Sequence, residues 1–268
     1  MSAAPSTVAV KLGGSLLTDK TRHATLRGDV LRRLCSEIAQ AREEMTSGLI
    51  VAHGSGSFGH VAAKKHGFAD AGSVSAFGIS ETQREARRLH ERVVDSLREA
   101  GVACFSFPPG SALVADAGRP VHMEAEPVRL ALEQNLVTVT CGDVVLDRSN
   151  GACIASTEAV LTAIVGGLSG AFGVRRILWL GDTDGVWQEG ETVSRIDESN
   201  IQDLVDAAGG AAGTDVTGGM RLRLQTVWKL AKVGIESQLL NGLEEGVLYR
   251  ALLGREHSGT WVRSHKSS

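Results

Sequence analysis

The feature that most limits how this chain can fold is an alternation. Short runs of apolar residues each end in a glycine-rich or acidic turn, and amphipathic stretches separate them. Residues 8–12 run into Gly13-Gly14, residues 49–52 into His53-Gly54-Ser55-Gly56, and residues 177–180 into Gly181-Asp182-Thr183-Asp184-Gly185. Residues 26–41 and 81–100 read as helices; in the second, Ala86, Leu89, Val93, Leu97 and Ala100 recur three or four positions apart. Further strands are expected at 102–107, 136–140, 237–240 and 260–263, and further helices at 127–134, 157–168 and 219–233. This order predicts an α/β fold, an open and mostly parallel sheet sandwiched by helices. The 268 residues suffice for two lobes sharing one sheet. The Gly-rich stretch 166–173 marks their boundary, giving lobes 1–165 and 166–268 within a single continuous fold.

Composition narrows the classes. The net charge of -3 supplies no basic face for nucleic acid. No apolar run reaches the roughly 18–20 residues that span a bilayer. Residues 1–7 contain no apolar signal core, so the expected compartment is the cytoplasm. The four cysteines, Cys35, Cys104, Cys141 and Cys153, form no CxxC pair, which predicts reduced thiols and no metal site. Arg84, Arg87 and Arg88 read as a solvated helix face. Aromatic residues are only 4% of the chain, so the core must be aliphatic.

Four segments carry chemistry. In Lys11-Leu12-Gly13-Gly14-Ser15 the glycines clear backbone N–H groups for phosphate oxygens, and Lys11 offers a fixed cation, as does Lys20 beyond. In His53-Gly54-Ser55-Gly56-Ser57-Phe58-Gly59-His60 a glycine turn opens a helix, a ready anion site with His60 in its first turn. Asp182 and Asp184 follow a strand, where they serve either as turn formers or as groups that position Mg²⁺ or ribose. Thr214-Asp215-Val216-Thr217-Gly218-Gly219-Met220 opens a helix bearing Arg221, Arg223 and Lys229.

Gly54, Gly56 and Gly59 also fit the dinucleotide pattern G-x-G-x-x-G, but the acidic residue that pattern needs about 20 positions later is missing. There is no Walker A sequence, no protein-kinase motif set and no G-x-S-x-G elbow.

Taken in order, these segments resemble the amino acid kinase superfamily, and most closely its isopentenyl phosphate kinase branch. The opening Lys11–Ser15 with Thr18-Asp19-Lys20, the signature His53 to His60, Gly142-Asp143-Val144-Val145-Leu146-Asp147, Asp182-Thr183-Asp184-Gly185-Val186 and Thr214 to Met220 carry the likeness. The resemblance implies an amino acid kinase-like fold with an N-terminal acceptor lobe and a C-terminal nucleotide lobe. It implies a homodimer, with ATP and Mg²⁺ as cofactors. Lys11, Gly13, Gly14, Ser15, Gly56, Asp182, Asp184, Gly218 and Arg223 would face the nucleotide. Ser55, Gly59, His60 and Ser156 would hold the acceptor phosphate, with Lys11, Lys20 and His60 catalytic. The implied reaction phosphorylates isopentenyl phosphate to isopentenyl diphosphate. Phe77, Ile79 and Ile154 are the expected walls for its aliphatic tail.

Two positions depart from the branch. Where it has an Asp that orients the lysines, this chain has Thr157, followed by Glu158; where it has a Lys, this chain has Arg223. Glu158 is one residue out of place: it could substitute for that Asp only if the helix start shifts, and it reads equally as a first-turn acid behind the N-cap Ser156. The departures leave open a related kinase acting on another phosphate or phosphonate, such as fosfomycin, and a nucleotide-binding paralogue with impaired catalysis.

Overall fold

The computed structural model describes residues 6–19, 22, 24–68, 74–210 and 219–264. Its elements, in chain order, are β1 (Thr7–Leu12), the short α1 (Gly14–Leu17), α2 (Gly28–Glu44), β2 (Gly48–His53), α3 (Gly56–Lys65), α4 (Ala76–Glu99), β3 (Cys104–Ser106), β4 (Leu113–Asp116) and β5 (Arg119–Met123). There follow α5 (Glu126–Glu133), β6 (Val137–Cys141), β7 (Asp143–Asp147), β8 (Gly151–Ala155), α6 (Thr157–Gly167) and β9 (Val174–Gly181). The chain continues with the short β10 (Trp187–Gln188), β11 (Glu191–Thr192) and β12 (Arg195–Ile196), then α7 (Ile201–Gly210), α8 (Gly219–Ala231), β13 (Glu236–Asn241), α9 (Val247–Leu252) and β14 (Thr260–Val262).

Eight strands form one sheet in the order β12-β14-β13-β9-β1-β2-β6-β3. Every pairing in it is parallel except β13 with β14. The central strands are buried on both faces, which is why they read as continuous apolar runs. Side chains alternate between two cores. Val8, Val10 and Leu12 of β1 join Leu34 of α2, Leu89 of α4 and Leu248 of α9 on one face. Ala9 faces the other way, toward Val128 of α5, Leu161 of α6, Leu204 of α7 and Leu224 of α8.

This parity positions the site. Lys11 shares the face of Ala9 and points toward α6 and α8, whereas His53, Cys141 and His90 lie on the α4 side. β1 has β2 on one side and β9 on the other, with Leu12 in register with both His53 and Leu180. The chain thus winds away from β1 in both directions, and such a switch point opens a crevice at the carboxyl ends of the strands.

A second sheet, β5-β4-β7-β8, stands over that end. The alternation-based reading omitted its strands, because β5 is exposed and β4, β7 and β8 lack a long apolar run. The main sheet takes strands from both sides of residue 166, so residues 1–165 and 166–268 share one sheet.

Candidate active site

Two glycine loops meet backbone to backbone at the switch point. The Gly13 N–H donates to the Leu180 carbonyl at 2.8 Å and the Gly54 N–H to the Leu12 carbonyl at 3.0 Å, so each loop leaves its strand in a fixed direction. A Cβ on Gly14 would lie 2.8 Å from the Gly56 nitrogen, and one on Gly54 would lie 2.8 Å from the Gly14 nitrogen. Gly56 has φ +50, and the Thr18 hydroxyl occupies the space a side chain there would need. That hydroxyl donates to the Gly14 carbonyl at 2.8 Å and accepts from the Ser57 N–H at 2.9 Å, tying the loops together. Gly56 begins α3, whose N-terminus therefore points into the crevice with its orphan N–H groups.

A cavity of about 540 Å³ opens above these loops. Lys11, Gly14, Ser15, Ser55, Gly56, Gly59, His60, Ser156 and Arg223 line it. Nine of the residues singled out in the sequence thus meet in one place. Gly13 sits behind the lining in its bond to Leu180. Asp182 and Asp184 lie just past β9 and do not line the cavity; Asp184 accepts from the Asn241 side chain at 2.7 Å, and Asp182 is close enough to raise the basicity of Lys11. Lys20 and Gly218 lie outside the described residues.

Lys11 is 6% exposed, and its ammonium lies 3.1 Å from Oε1 of Glu158. Burial lowers the Lys11 pKa; Glu158 works against that, and the Arg223 charge reinforces it. Glu158, which the sequence allows in the place of the branch's Asp only if the helix start shifts, makes this contact. The helix does begin at Thr157 as expected, with Ser156 capping it through the Ala159 N–H at 3.2 Å. No shift of the helix is needed, because glutamate is one methylene longer than aspartate and reaches the lysine from the next position. Thr157 instead donates to the His53 carbonyl at 2.9 Å.

The expected tail walls need correcting. Phe77 is 69% exposed and packs edge-on against His66, and neither it nor Ile79 lines the cavity. Phe77 falls on the outer face of α4, whereas Ile79 is half-buried but stops short of the cavity; Thr82 and Ala86, further along the helix, line it with Val144 and Ile154. The arginine run also divides. Arg84 and Arg88 pair with Glu81 and Glu85 along the helix, whereas Arg87 reaches the buried Asp143 at 3.2 Å.

Behind the loops is a buried polar relay. His53 Nδ1 lies 3.1 Å from the Gly54 carbonyl, His53 Nε2 lies 3.0 Å from His90 Nδ1, and His90 Nε2 lies 2.8 Å from the Ser106 hydroxyl. A carbonyl only accepts, so the proton of His53 sits on Nδ1. His90 must then donate from Nδ1, and Ser106 donates to His90 Nε2. Burial holds both rings neutral, with pKa values pushed down to about 4 for His53 and about 3 for His90. Cys141 lies alongside, and the three form the only group of metal-ligating side chains among the described residues. Burial raises the Cys141 thiol, so it stays protonated. All four cysteines are free thiols.

Interlocked glycine loops at a switch point, helix N-termini and buried cations define a phosphate-handling transferase site. The sequence profile described as Amino acid kinase family matches residues 6–241, and the chain belongs to that family. It is 32% identical over 262 residues to isopentenyl phosphate kinase of Methanocaldococcus jannaschii, covering 94% of this chain and 97% of that one. It is also 32% identical over 272 residues to the enzyme of that name from Methanothermobacter thermautotrophicus, covering 95% and 98%. A crystal structure of an isopentenyl phosphate kinase superposes with a TM-score of 0.78 at 28% identity, covering 95% of this chain and 99% of that one. Within the family, these likenesses place the chain in the isopentenyl phosphate kinase branch.

Proposed function

We propose that this protein transfers the γ-phosphoryl group of ATP to isopentenyl phosphate, giving isopentenyl diphosphate and ADP. The observation that carries this reading is the one cavity in which two glycine loops, Lys11, Arg223 and His60 converge. A phosphoryl group in transfer spreads negative charge over its oxygens, so alignment and fixed positive charge are what the protein must supply.

In the step, an oxygen of the acceptor phosphate bonds to the γ-phosphorus as the bond to the β–γ bridging oxygen breaks. The acceptor phosphate is largely ionised near neutral pH, so no strong general base is required. Gly14, Ser15 and Gly56 present backbone to the nucleotide phosphates, and Gly13 sets the turn behind them. Lys11 and Arg223 neutralise developing charge; on sequence grounds alone Lys20 joins them and Gly218 sits by the nucleotide phosphates. Ser55, Gly59, His60 and Ser156 hold the acceptor phosphate. Val61, Ala86, Val144 and Ile154 offer the apolar surface that a short prenyl tail needs.

Asp182 and Asp184 belong to the nucleotide side. Mg²⁺ takes oxygen ligands, which suits Asp182 and the nucleotide phosphates and does not suit the nitrogen and sulfur donors of His53, His90 and Cys141. Bound there, the ion would neutralise phosphate charge. The acceptor-side residues all precede residue 166 and Asp182, Asp184 and Arg223 follow it, which supports an acceptor lobe 1–165 and a nucleotide lobe 166–268, with Lys11 and the glycine loops of the first reaching across to the nucleotide phosphates. Homodimerisation rests on the family likeness. The free thiols suit a reducing compartment, which supports a cytoplasmic location. No helix among the described residues is long and apolar enough to cross a membrane.

The test is coupled ADP release from MgATP with isopentenyl phosphate, dimethylallyl phosphate, fosfomycin or no acceptor. Release that requires isopentenyl phosphate is expected. Release with fosfomycin alone would keep the fold and change the acceptor. ATP binding with no transfer to any acceptor would sink the reading.

A further inference from the structure

We propose that His53, His90 and Cys141 form a buried three-ligand site for a soft monovalent cation, Cu⁺, directly behind the glycine loop that opens α3. The inference stands on this cluster alone and does not depend on the phosphotransfer reading.

The backbone brings the ligands together. His53 ends β2 and Cys141 ends β6, and the two are register partners on neighbouring parallel strands, so their side chains leave the sheet side by side toward α4. His90 lies on the buried face of α4 that packs there. One ligand atom from each of the three lies within 4.8 Å of the others, and all three residues are at most 2% exposed. His53 Nε2 and His90 Nδ1 are already 3.0 Å apart. Two imidazole nitrogens that share one ion, each about 2.0 Å from it, stand roughly 3.3–3.5 Å apart, so a slight rotation of the rings makes room. No paired spacing in the sequence announces the site, because each ligand comes from a different element.

The outer nitrogens are committed as well. His53 donates from Nδ1 to the Gly54 carbonyl at 3.1 Å, which leaves the Nε2 lone pair facing the cluster. His90 needs only to move its proton from Nδ1 to Nε2, where the Ser106 hydroxyl, 2.8 Å away, turns from donor to acceptor. Outer partners of this kind orient imidazole ligands. Binding then forms two Cu–N bonds and one Cu–S bond, and the Cys141 thiol proton leaves to solvent. Charge selects the ion. The charged groups that act on Cys141 are Asp143 and Arg87, and they pair with each other at 3.2 Å. The thiolate therefore supplies the balancing charge. With Cu⁺ the buried site is neutral, whereas a divalent ion leaves a net positive charge away from water, which is costly. Thiolate and imidazole are also ligands that Cu⁺ accepts. Ser106 is exposed on β3, so the cluster lies one side chain from solvent.

The experiment loads the full-length protein, without oxygen, with Cu⁺ presented as its bicinchoninate complex, whose colour is lost as the protein takes the ion. One tightly held ion per chain is expected, and the loaded protein melts at a higher temperature than the free one. X-ray absorption of the loaded protein shows one sulfur and two nitrogen ligands. Affinity falls by about a hundredfold or more in Cys141→Ala and in His90→Asn, more than the loss of an outer partner costs. It stays at the parent value in Cys153→Ser, which removes a more accessible thiol. Zn²⁺, measured by chelator competition, binds more weakly than Cu⁺. No uptake, a sulfur-only environment, uptake lost equally in Cys153→Ser, or tighter binding of Zn²⁺ each overturns the proposal. The absorption spectrum is read on the parent protein, so the test holds even where a ligand variant fails to fold.

Discussion

Gly14 and Gly54 face each other so closely that a methyl group on either would lie 2.8 Å from a backbone nitrogen of the opposite loop. Backbone has nowhere to retreat at that distance, so Gly14→Ala forces the loops apart. We expect it to destabilise the fold by about 1–3 kcal/mol, the usual cost of overpacking, and to abolish transfer. Urea unfolding with an unchanged slope and an unchanged midpoint would contradict the close packing.

Thr18 makes a chemically distinct prediction at the same junction. Its hydroxyl satisfies both the Gly14 carbonyl and the Ser57 amide. Thr18→Val keeps the shape but strips the Ser57 amide of its partner, while the Gly14 carbonyl keeps its bond from the Thr18 N–H, at a cost of about 1–3 kcal/mol. Thr18→Ser keeps the hydroxyl and should recover most of that loss. Equal melting points for the two variants would show that the bridge is unimportant.

His60 and His53 should separate function from stability. His60 is exposed at the cavity rim, whereas His53 is fully buried in the relay. His60→Ala is expected to lower kcat/KM for the acceptor about a hundredfold or more with little change in melting temperature. His53→Ala is expected to lower the melting temperature, with the smaller effect on the activity of the protein that remains folded. Equal losses of activity at equal stability would count against His60 as the phosphate ligand.

The relay also dictates an acid response. His53 and His90 are neutral in the fold, with pKa values depressed to about 4 and about 3, while in the unfolded chain each titrates near 6.5. Below about pH 6.5 the unfolded state binds more protons, so stability is fully present above that pH and falls as the pH drops toward the folded values. The slope approaches roughly 1.4 kcal/mol per pH unit for each histidine. Unfolding midpoints at pH 7.5, 6 and 5 test this above the carboxylate range; replacing His90 by Asn should flatten the curve.

Much of this was legible from sequence because strands and loops left separate marks. The apolar runs ending in Gly13-Gly14 and His53-Gly54 marked the centre of the sheet, and the glycines needed for close approach marked the cavity. What stayed hidden depended on reach and parity. Glu158 contacts Lys11 only because β1 turns Lys11 toward α6 and glutamate is long enough, and neither fact is written in local spacing. Phe77 was misread because the inward face of α4 cannot be told from its outward face without knowing what packs on it. Strands β4, β5, β7 and β8 are short and partly exposed, so they lacked the apolar run that revealed the main sheet. The partnership of His53 with His90 joins two distant segments and leaves no motif.

The central place of β1 has a consequence for how the protein is made. Lys11 is synthesised well before Glu158 and Arg223, and β9, one of the two neighbours of β1, lies between those two in the chain. Strand β1 must therefore wait, unpaired along one edge, until β9 has emerged. A nascent fragment ending before α6 has both glycine loops but none of the charges that surround the lysine. Activity should thus arise late and all at once, and a truncated chain should expose an apolar β1 edge as a target for chaperones.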